Sequence, residues 1–121
     1  MYYNEVPITE LIGKTLTNIH NGGAELIFEA SDGSEYKMYH EQNCCEGVSI
    51  EDITGELSDL IGSPILKAEV MTNSENPKDQ YEESFTWTFY HIATVKAHVT
   101  IRWYGSSNGY YSESIDFVKI K

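Results

Sequence analysis

Tyr39-His40-Glu41-Gln42-Asn43-Cys44-Cys45-Glu46 is the densest run of chemistry-bearing residues in the chain. One imidazole and two thiols make three of the four soft ligands that a tetrahedral zinc site needs. His40, Cys44 and Cys45 are therefore the metal candidates, with His20 or His91 available as a fourth ligand. Adjacent extended side chains diverge, which works against two neighbouring cysteines reaching one ion. His40 could serve a Cys nucleophile as base, but no oxyanion hole or orienting group is recognisable. The sequence thus predicts no catalytic residue and no cofactor, and reads the two cysteines as an unbridged pair, one buried and one partly exposed.

Two further sets carry weaker signals. Glu51-Asp52 and Glu56-x-x-Asp59 could pair carboxylates around a hard cation, yet they lack the spacing of a calcium loop. They read as an acidic surface. Gly105-Ser106-Ser107-Asn108-Gly109 could cradle an anion on its N–H groups, but no Lys-Ser/Thr follows and a hairpin turn accounts for it. The last set is a polar row holding the chain's single arginine: Tyr90, Arg102, Tyr104, Asn108 and Tyr110. Tyrosine and arginine are enriched at binding hot spots, and such a face could stack a base while Arg102 holds a phosphate.

Whether these residues meet depends on the elements beneath them. Pro7 to Gly13 reads as a short helical turn and Thr15 to His20 as a strand ending at Asn21-Gly22-Gly23. A three-residue loop with Gly33 left-handed pairs Phe28 with Tyr36 and Leu26 with Met38, so a hairpin follows, its apolar face extended by His40. Val48 to Ile53 suits a strand, Glu56 to Ile61 a short helix ended by Gly62-Ser63-Pro64, and Pro64 to Val70 another strand. Thr72 to Glu83 reads as an exposed loop.

The C-terminal third reads as three antiparallel strands. In this register Phe85, Trp87, Phe89, Val99, Ile101 and Trp103 face the core, and Tyr104 faces Tyr110 across a turn at Gly105–Gly109. Glu113 is the misfit, falling on the inner face opposite Ile101. The expected fold is α+β: mainly antiparallel β-sheet of about six strands, with one or two short helices, in a single domain over 1–121.

Charge bounds the partners. The formal net charge is −11, and residues 25–83 hold 15 acidic against 3 basic side chains. Such a chain repels nucleic acid, since affinity for phosphates comes from Lys and Arg displacing counterions. It suits a partner with a basic surface, or simply keeps the protein in solution. No apolar run approaches membrane-spanning length, and the start lacks a secretory pattern. With only one pair of cysteines, the expectation is a cytoplasmic protein; an exposed sheet edge would also permit a homodimer.

Glu35-Tyr36-Lys37-Met38-Tyr39-His40-Glu41-Gln42-Asn43-Cys44-Cys45-Glu46, Ile61-Gly62-Ser63-Pro64-Ile65-Leu66, Thr86-Trp87-Thr88-Phe89-Tyr90, and Ile101 through Glu113 form four distinctive segments. With them the chain resembles a family of small uncharacterised proteins encoded by tailed bacteriophages and prophages. The resemblance implies an accessory protein acting inside the bacterial host cell and brings no catalytic residue. The function expected from it is non-catalytic inhibition of a host factor with a basic surface, such as a nucleic-acid-binding defence enzyme, through the acidic surface. The alternatives are sequestration of a nucleotide signal on the Tyr/Arg102 face and metal binding at His40, Cys44 and Cys45.

Overall fold

The computed structural model describes residues 4–75, 77–78 and 81–121. Among the described residues nine strands, more than the six or so expected, form two antiparallel sheets. The first sheet takes β1 (Asn4–Glu5), β2 (Leu16–Asn21), β3 (Glu25–Ala30), β4 (Glu35–Tyr39) and β9 (Asp116–Lys119), in the order β1-β9-β4-β3-β2. The second takes β5 (Gly47–Thr54), β6 (Lys67–Asn73), β7 (Ser84–Ala93) and β8 (His98–Ser107), in the order β5-β8-β7-β6. Mainly antiparallel sheet is correct; the α part of the expectation is not. The only helical elements among the described residues are 3-10 turns at Ile8–Leu11 and Leu57–Leu60. Gly55 and Pro64 leave too short a span between them for a stable α-helix.

The β3–β4 hairpin has the expected register, Leu26 opposite Met38 and Phe28 opposite Tyr36. Gly33 takes the left-handed conformation, with φ +90°. Its neighbour Asp32 binds Lys14 at 2.6 Å and accepts the Ser34 N–H at 2.9 Å, contacts that hold its carboxyl well below the usual range.

The C-terminal expectation fails twice. Thr94 N–H donates to the Ala97 carbonyl, and Thr94 Oγ1 accepts the N–H groups of Lys96 and Ala97. This tight turn pairs Ala93 with His98, hence Tyr90 with Ile101 and Phe89 with Arg102. A strand shifted by one residue turns over completely. Thr88, Tyr90 and Ile92 therefore face inward, while Phe85, Trp87 and Phe89 face outward, the reverse of the sequence reading. Second, β8 runs on through Gly105 to Ser107 and takes β5 as its other neighbour, with Asp52 opposite Arg102 and Ile53 opposite Ile101. Residues 108–115 then cross to the first sheet, where β9 pairs with β4 and β1.

The two sheets bury one core. Leu26, Phe28, Tyr36, Met38 and Phe117 come from the first; Ala68, Tyr90, Ile92, Val99, Ile101 and Trp103 come from the second. Trp103 Nε1–H points at Met38 Sδ, 3.3 Å away, so this contact bridges the layers. Burying a tryptophan and a phenylalanine removes several hundred Å² of apolar surface, at roughly 25 cal/mol per Å².

Candidate functional site

The outward face of the second sheet is aromatic, because β7 alternates Phe85, Trp87, Phe89 and His91 on that side. Across the strand pair stand Tyr104, Arg102 and Thr100 of β8. Trp87 and Tyr104 rings lie 4.4 Å apart, and Phe85 stacks on Tyr104 at 6.2 Å. Phe89 and His91 continue the row at 6.4 Å. The Arg102 guanidinium rests over the Trp87 ring at 5.2 Å, a cation–π contact. It reaches Asp52 only at 3.9 Å, and both side chains stay substantially exposed. Between these groups lies a recess of about 230 Å³ lined by Asn73, Glu75, Trp87, Phe89 and Arg102.

Carboxylates border this aromatic centre on both edge strands. Asp52 and Glu51 come from β5, Glu51 holding Lys78 at 2.8 Å; Glu69 comes from β6, opposite His91. Tyr104 is nearly buried, and its hydroxyl donates to Glu82 while accepting the Lys78 N–H at 3.2 Å.

Of the residues expected on the Tyr/Arg102 face, Arg102 and Tyr104 are there. Tyr90 is not: it lies in the core, where burial and then the Asp116 charge raise its phenol well above the ordinary value of 10.0. Asn108 and Tyr110 fall in the crossover after β8, Tyr110 being 84% exposed and edge-on to Tyr111. Neither the hairpin turn expected at Gly105–Gly109 nor an anion cradle forms there, since Gly105 to Ser107 belong to β8 and the Gly109 N–H is taken by Ser107 Oγ. Glu56 and Asp59 stand exposed on and beside the 3-10 turn beyond Gly55, so the four acids do not converge on one cation.

The His40 cluster is a structural clamp. His40 Nδ1–H donates to the Ser114 carbonyl at 2.7 Å, and its Nε2 meets Glu46 at 2.7 Å, with both side chains almost wholly buried. Glu46 also accepts the N–H groups of Asn43 and Cys44, which, with His40, hold its carboxyl down to about 2. One imidazole thus ties the β4–β5 crossover to the β8–β9 crossover. Cys44 and Cys45 are both exposed and joined to each other by a disulfide, which corrects the reading of an unbridged pair with one cysteine buried and removes both thiols as metal ligands or nucleophiles. Among the described residues, no three His, Cys, Asp or Glu side chains gather to hold a metal ion.

Glu113, the sequence's misfit, is explained by the same rearrangement. Its carboxylate is buried and accepts the hydroxyls of Thr86 and Ser107. Gly105 makes room for it: a Cβ there would stand 2.9 Å from Glu113 Cβ and 3.1 Å from Val48 Cγ2.

Residues 9–117 match the family described as Domain of unknown function (DUF7448). The chain belongs to that family. The matched stretch contains the aromatic face, the His40–Glu46 clamp and Glu113, so all of these lie within the family domain. Its description names no reaction. No curated protein and no solved structure matches the chain. Among the described residues, no helix is long and apolar enough to cross a membrane.

Sequence reasoning missed Trp87, Phe89 and Phe85 as surface groups. The signal was present in Thr94 and its loop, whose length sets the register of everything N-terminal to it.

Proposed function

We propose that this protein is a non-catalytic binding protein that captures a basic protein partner on the outer face of the β5-β8-β7-β6 sheet. The observation that carries the reading is the outward row Phe85, Trp87, Phe89 and His91, backed by Tyr104 and Arg102 and flanked by carboxylates on both edge strands. An aromatic centre within a charged rim is the composition of a recognition surface. The net charge of −11 adds long-range attraction for a basic partner and repulsion of nucleic acid. The resemblance to phage and prophage proteins supports a partner in a bacterial host, a factor whose basic surface this protein would occupy.

The test is capture from a bacterial host followed by titration of the purified partner. Trp87→Ala is expected to weaken binding roughly tenfold or more, as loss of an aromatic anchor does. Val95→Ala, exposed in the β7–β8 turn, serves as a surface control, and circular dichroism checks that each variant folds. Equal binding by the wild type and Trp87→Ala would sink the proposal.

A second reading has its own observation, the recess between Trp87, Phe89 and Arg102. Two aromatic walls and a guanidinium suit a nucleotide base with one phosphate. Asp52 and Glu75 beside the arginine work against a polyphosphate. Calorimetry against cyclic nucleotides and ADP-ribose derivatives, with Arg102→Ala as control, separates it from the first; heats that survive the substitution remove it.

A further inference from the structure

At the end of the same sheet, where β5 begins and β8 ends, lies a larger cavity of about 500 Å³. Tyr81, Tyr111, Glu82, Glu83, Ser106 and Asn108 are among its walls, and none of its described lining residues is basic. Tyrosine rings supply faces for a cation, and the glutamates supply charge. Behind the wall, the buried Glu113 carboxylate accepts the Ser107 hydroxyl, adding negative potential with no cation among the described lining residues to offset it. Glu82 also receives the Tyr104 hydroxyl, so this cavity is fastened to the aromatic face.

We infer that this cavity takes the guanidinium of an arginine side chain carried by the basic partner, an inference that rests on the reading proposed above. A guanidinium is planar, so it can lie against a tyrosine face while its N–H fork meets a carboxylate. It is also less strongly hydrated than an ammonium, which makes arginine the better occupant of a half-enclosed aromatic pocket than lysine. The aromatic face would hold the partner's apolar surface, and the cavity would hold its charge.

The test needs no partner. Nα-acetyl-arginine amide, its citrulline counterpart and its lysine counterpart are titrated into isotopically labelled full-length protein, and the amide shifts of Ser106, Ser107 and Asn108 are followed by NMR. The expected result is saturable shifts with arginine, roughly tenfold weaker binding of the uncharged citrulline probe, and intermediate binding of lysine. Glu83→Gln and Tyr111→Leu, each checked for an otherwise unchanged spectrum, are expected to weaken the arginine probe. Equal affinity for arginine and citrulline, tighter binding of lysine, or shifts mapping elsewhere would each overturn the inference. Its failure is distinguishable from failure of the parent reading. If the probe does not bind but Trp87→Ala still abolishes partner capture, only the arginine pocket falls; if the probe binds and Trp87→Ala changes nothing, the aromatic face falls.

Discussion

Glu46 is a side chain whose environment departs far from solution. Two backbone N–H groups and His40 stabilise its charged form, and its carboxyl drops from 4.5 to about 2. A group depressed in the folded state stabilises the fold at pH values above its unfolded pKa and loses that contribution as pH falls. The wild type should therefore lose stability as pH drops from 4.5 toward about 2. Glu46→Gln should be less stable at neutral pH, with the gap to wild type narrowing through that window. Urea midpoints measured across the acid range check this; a gap independent of pH would mean that the charge is not what holds the two crossovers. Tyr90 makes a contrasting case. It lies in the core instead of on the binding face, so Tyr90→Phe should leave partner capture unchanged where Trp87→Ala does not.

At the scale of elements, the β8 strand decides the second sheet. Its inner residues Val99, Ile101 and Trp103 are fully or almost fully buried, and its outer residues Arg102 and Tyr104 anchor the binding face. Gly105 lets the crossover pack against this strand, since any side chain would press on Glu113 and Val48. Gly105→Ala should destabilise the fold by about 1–3 kcal/mol, the usual cost of overpacking a close contact. Thermal or urea unfolding measures it. A neutral result would mean that the segment 108–115 relaxes away freely. Trp103→Ala, which empties the bridge between the layers, should cost about 3–5 kcal/mol in the same assay.

For the whole molecule, the dominant quantity is charge. With a net charge of −11, encounter with a basic partner should be fast at low salt and slow as ionic strength rises. Stopped-flow association at increasing salt should show the on-rate falling while the off-rate changes less, because contacts on the aromatic centre are shielded from solvent ions. An on-rate indifferent to salt would remove the acidic surface from the account. The acids do not form one site: Asp52, Glu51 and Glu69 border the aromatic face, Glu82 and Glu83 line the cavity, and Glu56 and Asp59 stand apart.

Local pattern was enough for the β3–β4 hairpin, the exposure of Ser74, Glu75, Pro77 and Lys78 and the strand character of 85–93 and 98–104, because strand alternation and a glycine turn act over a few residues; Asn76, Asp79 and Gln80 of the expected loop lie outside the described residues. It also exposed Glu113 as out of place on an apolar face. Only the tertiary structure decided which face of β7 is buried, because both faces are rich in aromatic and β-branched residues and a turn of one different length exchanges them. The partner of β8 was equally open. Residues 110–117 and residues 47–54 can each match its alternation, and the choice falls to β5 because Phe117 packs into the core from the first sheet, beside β4. His40 and Glu46 likewise became a clamp only when a carbonyl from residue 114 arrived beside them, a contact between distant residues that no local spacing encodes.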